Sequence, residues 1–194
     1  SFERIQATIN LTAAHMAACE QMMLRGEAQF LLCHDHPATT HMLASDQFRS
    51  VHLGIERLLP VSAPRPDGSG PLFALKSDAN APIPLLTYTS ESGLGRILAG
   101  SRAMQASEAA TRAVFSSHLT SVLGAMARDA HGMAWAPMSV VADDLERGRL
   151  CRAAGDDAEI AIEIRLYRPR ARQSPAAERL WSLVARKDED AEAV

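Results

Sequence analysis

The sequence has no surplus of positive charge. Its 20 Lys and Arg are outnumbered by 23 Asp and Glu, giving a formal net charge of −3 at pH 7. Without a basic footprint, this stretch by itself is a poor nucleic-acid binder. It also lacks any apolar run of roughly 18 residues and shows no secretory signal peptide, so no membrane partner is expected. Cysteine is scarce. Cys19, Cys33 and Cys151 are odd in number, widely spaced and set among apolar residues. That pattern fits reduced, buried thiols of a cytoplasmic protein better than a disulfide framework; a redox-reactive thiol is the other reading. Nothing pairs a nucleophile with its base, and replacing His118, the nearest candidate, is not expected to abolish any turnover. Cys33-His34-Asp35-His36, with His41, supplies ligand-type side chains. Adjacent residues at a strand end point apart, however, and no second ligand pair stands at metal-site spacing. Solvated loop histidines are the expectation, with no metal and no cofactor.

What is present is an ordinary globular composition, 47% hydrophobic and 22% charged over 194 residues, enough for a core without disulfides. The stretch 112–150 is the most informative. Ala113, Val114 and Phe115 form an apolar strand that ends in Ser116-Ser117-His118. Leu119, Val122, Leu123, Met126 and Ala127 then recur at helical spacing, which predicts one buried face. His131-Gly132 is expected to stop that helix, with the glycine in the left-handed position. Met133-Ala134-Trp135-Ala136 is apolar on both faces, as a covered parallel strand should be, and Pro137 opens a helix that closes at Arg147-Gly148.

The remaining chain reads as more α/β units. A strand over residues 4–9 leads to a turn at Asn10-Leu11-Thr12 and a helix whose apolar face is Ala14, Met16, Ala18, Met22 and Met23, closed by Arg25-Gly26. Phe30-Leu31-Leu32-Cys33 reads as a buried strand. Residues 57–62 form another, placed at a sheet edge because of Pro60. Residues 63–71, APRPDGSGP, mark a surface turn or a link between lobes. Residues 84–88 are a strand, and Thr89-Ser90-Glu91-Ser92 caps a helix running from near Gly93 to Ala99; residues 100–110 are a short helix or loop. Residues 159–167 alternate over a length suited to a strand crossing between lobes, and Gln173-Ser174-Pro175 caps a last helix faced by Ala177, Leu180, Trp181 and Val184 before a charged, fraying tail. Each methionine of an apolar face is expected in the core rather than as an oxidation target. The run Arg165, Arg168, Arg170, Arg172 reads as a solvated face or a source of dimer salt bridges, and Asp143, Asp144 and Glu146 as helix surface charge.

The pattern AMARDAHGMAWAPMSVVADDLERGRLCRA resembles the second lobe of the effector-binding domain of LysR-type transcriptional regulators, with Gly132, Pro137, Gly148 and Leu150 on the family's positions. MLRGEAQFLL is similar to a first-lobe segment of that family, with Gly26 in place and Gln29 where Asp is usual. IERLLPV resembles its interlobe strand and SPAAERLW its final helix. The segments LLTYTSESGLGRIL, GMAWAP and SPAAERLWSL are closest to the hypochlorite-responsive branch, although Leu94 and Leu119 stand where sensor methionines would be sought. Leucine cannot form a sulfoxide, so that mechanism does not carry over by similarity.

The resemblance implies an α/β fold of two Rossmann-like lobes with two crossover strands, type 2 periplasmic-binding-protein-like. It divides the chain into 1–61 plus 160–194 as lobe I, an opening strand and helix apparently missing, and 62–159 as lobe II. It implies a homodimer or homotetramer that meets DNA only through an N-terminal winged helix-turn-helix outside this sequence. A small-molecule effector or oxidant would lie between the lobes near Thr12, Thr89, Ser90, Ser92, Ser117, His118 and Thr120. Hydroxyls at strand ends and helix starts suit a carboxylate or other small polar ligand; the plainer reading of each is an N-cap. A solute-binding protein of a transport system is the alternative.

Overall fold

The structure, a computed structural model, describes residues 8–37, 39, 42, 43, 46–75 and 81–192, with side chains to residue 185. The chain divides into two compact units, one of residues 1–55 with 163–194 and the other of residues 56–162. Two strands run through both boundaries: β2 (Phe48–Ser62) and β7 (Ile160–Pro169).

In the first unit, α1 (Met16–Leu24) precedes β1 (Leu31–Asp35), which pairs antiparallel with β7 in the register Leu31↔Tyr167 to Asp35↔Glu163. Met16, Met23, Leu31, Leu43, Phe48 and Tyr167 form its core. Helix α1 starts later than the sequence suggests. Its N-cap is His15, whose Nδ1 accepts the Ala18 N–H at 3.3 Å, and Thr12 lies ahead of it in exposed irregular backbone. Ala14 therefore lies outside the helix. Of the strand expected over residues 4–9, positions 4–7 lie outside the described residues and Thr8 and Ile9 belong to no strand. Leu32 is 61% exposed, so β1 is covered on one face only.

Helix α6 (Pro175–Glu192) is fixed to β7 by a cluster the sequence does not suggest. Arg168 is fully buried, not solvated: its guanidinium donates to both Glu178 oxygens, at 2.7 and 2.9 Å, and to the carbonyls of Pro169 and Ala171. The Arg168 and Arg49 guanidinium carbons stand 5.4 and 5.0 Å from the Trp181 ring centroid. A cation on an indole is attractive and strengthens as water is excluded. The helical backbone runs on to Glu192, through most of the tail expected to fray.

The second unit holds β3 (Ile83–Tyr88), β4 (Thr111–Ser117), β5 (Met133–Pro137) and β6 (Cys151–Arg152), together with α2 (Gly93–Gly100), α3 (Arg102–Ser107), α4 (Thr120–Arg128) and α5 (Met138–Glu146). Its strand order is β2-β5-β3-β4, with β3 parallel to both β4 and β5 and β2 antiparallel to β5. Central β5 is buried along its whole length, as its unbroken apolar run requires. Strand β2 is interior rather than an edge. Pro60 is tolerated because its carbonyl accepts from Ala153, on the side away from β5. A residue's N–H and C=O point the same way in a strand, so the missing donor leaves the β5 ladder intact. The segment 63–71 is a turn within this unit, closed by a Pro64–Pro71 bridge.

Two polar features of this unit also depart from expectation. Asp144 is buried, and its carboxylate pairs with Arg128 and, at 2.6 Å, with Arg149. These hydrogen bonds hold the Asp144 carboxyl below its usual range against the opposing effect of burial. The second is the end of α4, where Ala130, not Gly132, takes the left-handed conformation, at φ 61°. Gly26 and Gly148 hold that position after α1 and α5, as expected.

Candidate functional site

Three parallel strands of the second unit, β4, β3 and β5, end on the same side of the sheet, and each is followed by a helix: α4, α2 and α5. The positive ends of three helix dipoles and their unpaired N–H groups therefore gather at one sheet end. Thr89, Ser90, Ser92 and His118 lie on the two strand-to-helix connections there, and Ser117 and Thr120 at the strand end and helix start that bound the second. The register Tyr88↔Ser117 sets the two connections side by side, and the Thr89 N–H donates to the Ser117 carbonyl at 3.3 Å.

These residues differ in what remains open to a ligand. Ser92, 5% exposed, is the N-cap of α2, its hydroxyl accepting the Gly95 N–H at 3.4 Å. The Ser117 hydroxyl accepts the Leu119 N–H at 3.1 Å and so orders the entry to α4. Thr120 shares a 3.0 Å hydrogen bond with the Tyr88 hydroxyl. Burial pushes that phenol up to about 12, so it stays neutral and able to donate at physiological pH. Ser90 and His118 are exposed and Thr89 is half-buried. Helix α4 has Leu119 as its N-cap, which offers no side-chain acceptor. Leu119 is 47% exposed and flanks the site instead of packing in the core. Thr12 belongs to the first unit.

Two participants were not singled out from the sequence. Tyr88 ends β3 and fixes Thr120. Glu56, 9% exposed, accepts the backbone N–H groups of Arg57 at 2.8 Å and of Ser139 at 3.3 Å, at the start of α5. A sequence signal existed for the second: Pro137 in the N-cap position has no side-chain acceptor, so α5 needs one from elsewhere.

The ligand-type cluster forms the end of β1 and is engaged locally, and His34, expected in a loop, is a strand residue paired with Ile164. Asp35 accepts from the Tyr167 hydroxyl at 2.6 Å and the His36 N–H at 2.7 Å, and His41 lies outside the described residues. All three cysteines are free thiols. Cys33 is pushed up to about 12, by burial first and by neighbouring Asp35 second, which opposes thiolate chemistry. Among the described residues no helix is long and apolar enough to cross a membrane.

Residues 4–189 match the model of the LysR substrate binding domain. Over 134 residues the chain is 31% identical to the HTH-type transcriptional regulator YjiE of Escherichia coli K12. It is equally similar to the HTH domain-truncated transcriptional regulator QseD of Escherichia coli O157:H7. In both cases 69% of this chain is covered, but only 43% and 53% of the relative, so the match spans about half of each. The apo regulatory domain of HypT from Salmonella typhimurium superposes with a TM-score of 0.78 at 26% identity, over 92% of this chain and 81% of that one. Full-length HypT, described as a hypochlorite-specific LysR-type transcriptional regulator, gives 0.77 at 26% identity over 95% of this chain and 60% of the other. The two α/β units joined by β2 and β7 are thus the two lobes of a type 2 periplasmic-binding-protein-like fold. A match over almost the whole sequence, in a chain with that fold, makes this protein a member of the LysR substrate-binding domain family.

Proposed function

We propose that this chain is the effector-sensing and oligomerisation part of a LysR-type transcriptional regulator of the cytoplasm, without catalysis of its own. The observation that carries the reading is the family match over residues 4–189, from a chain whose second unit gathers three helix starts at one sheet end. The attached DNA-binding segment would be of the kind named in the relatives' descriptions. A small carboxylate or similar polar effector binds at Thr89, Ser90, Ser117, His118 and Thr120. Ser92 contributes through the α2 start that it caps, and Thr12 is carried as a candidate on the resemblance alone. An effector bound there biases the arrangement of the domain, and through it that of a homodimer or homotetramer on DNA.

A small polar ligand is supported by a neutral phenol and hydroxyl pair and by a helix start that lacks a side-chain cap. Sensing of hypochlorite is the second form of the same reading, supported by the likeness to HypT. A solute-binding role in transport is less favoured, because the curated relatives are transcriptional regulators.

The test is a thermal-shift screen of small carboxylates beside hypochlorite treatment with mass mapping of Met and Cys. A ligand present at about 100 times its Kd stabilises by about 2.7 kcal/mol, a Tm rise of roughly 5–10 °C for a domain of this size. That rise should be lost in H118A and T120V, with a cooperative melt of each variant without ligand as the control for folding. If no carboxylate shifts the wild-type melt and hypochlorite oxidises residues without selectivity, the sensing role fails.

A further inference from the structure

Helix α5 begins without a cap of its own. Pro137 occupies its N-cap position and makes no side-chain hydrogen bond, while the strand before it is wholly buried. Helix starts leave N–H donors unpaired, to be met by a side chain or by water; at this one Met138 is half-buried and Ser139 exposed, and a side chain of the chain itself takes the place of water. Here the acceptor comes from a strand 83 positions away in sequence: Glu56 Oε2 takes the Ser139 N–H at 3.3 Å. Its other oxygen takes the Arg57 N–H at 2.8 Å, which orients the carboxylate. The antiparallel register Leu58↔Pro137 sets Glu56 beside Ser139, just past the end of β5. Ser139 is the second residue of α5, the position that an ordinary N-cap side chain serves. A negative charge there also complements the helix dipole.

The consequence reaches the sheet end as a whole. Of its three helix starts, that of α2 is capped by Ser92, that of α5 is filled by a carboxylate of the chain itself, and that of α4 has no side-chain cap. We propose that Glu56 is a positioning and specificity-determining residue. As a built-in carboxylate it occupies the anion position at the start of α5 and ties that helix to β2. An effector's acidic group is thereby kept toward the α2 and α4 side. The last clause rests on the proposed function; the occupancy of α5 by Glu56 does not. Glu56 is also the first residue of the second unit along β2, so the tie sits where the crossing strand enters that unit.

The E56A substitution deletes a CH₂–COO⁻ group, whose shape and charge acetate reproduces. Wild type, E56A and E56Q are melted by circular dichroism in sodium acetate and in sodium chloride of equal ionic strength. Loss of one cap lowers the Tm of E56A by about 2–4 °C in chloride. Acetate is expected to restore most of that loss in E56A and to give E56Q no more than it gives wild type, because the amide still fills the space. The gain shared by wild type and the variants reports on the α4 side, and hence on the proposed function. The additional gain in E56A reports on Glu56. Equal gains in wild type and E56A, or none in E56A, overturn the proposal. If E56A does not melt cooperatively in chloride, recovery of a cooperative melt in acetate is the same positive result, and failure to recover overturns it.

Discussion

The end of α4 offers a test whose sign depends on which residue is left-handed. At Ala130 the backbone φ is 61°, and the hydrogen bonds complete a helix-closing motif: Ala130 N–H to the Ala127 carbonyl at 3.1 Å and His131 N–H to that of Met126 at 3.0 Å. An alanine in that conformation costs about 1–2 kcal/mol, while a glycine there pays about 0.5–1 kcal/mol in chain entropy. A130G should therefore stabilise by about 0.5–1 kcal/mol, a Tm rise of about 1–4 °C. Gly132 is glycine for a different reason. A Cβ built there would lie 2.6 Å from the Pro84 carbonyl oxygen and 3.1 Å from Leu86 Cγ, so β5 and β3 would have to part. Such overpacking costs about 2 kcal/mol, so G132A should lower the Tm by about 4–8 °C. Urea unfolding followed by circular dichroism measures both. Were Gly132 the left-handed residue, as the sequence alone suggests, A130G would instead place a glycine within the helix and lose about 1 kcal/mol. A fall in stability for A130G would refute the assignment.

Three further outcomes are expected. R168M removes the buried partner of an ion pair whose carboxylate is one-third exposed and leaves the carbonyls of Pro169 and Ala171 without their donor; the two lost carbonyl bonds should cost about 1–3 kcal/mol, read as a lowered urea midpoint. Glu178 is lowered to about 2, by its bonds to Arg168 first and to the Gln173 N–H second. Its folded value lies below the unfolded one, so its contribution is complete above the usual carboxylate range and fades as pH falls toward about 2; the Tm gap between wild type and E178Q should narrow from about pH 5 to about pH 3. The two tyrosines, Tyr88 at about 12 and Tyr167 also raised, both chiefly through burial, should show no phenolate absorbance in the folded protein near pH 10. Because these folded values exceed the unfolded one, stability is lost as pH rises through them, and alkaline unfolding should release both phenolates together; early titration of either would contradict the burial described.

Much of the second unit was legible because its signals are local. The apolar runs that became β3 and β5, Ser92 ahead of α2, Pro137 ahead of α5 and Gly148 behind it each act over a few residues, through backbone geometry and capping. The strand-end hydroxyls of the candidate site could be found in the same way. What the tertiary structure decided is how those hydroxyls are held: Ser92 and Ser117 each accept from a neighbouring N–H group and Thr120 is bonded to Tyr88 from another strand, which leaves each hydroxyl oriented and with further hydrogen-bonding capacity. It also turned inward two charges read as surface, Arg168 and Asp144, and a third on which the sequence was silent, Glu56. Arg168 is stacked on Trp181 and bonded to Glu178, Asp144 is held between Arg128 and Arg149, and Glu56 caps a helix 83 positions away. A charge enters the interior only where a partner waits, and the sequence gives the charge without the distance to its partner. Periodicity and caps set the elements; their packing determined which polar atoms are already satisfied and which face outward for a ligand.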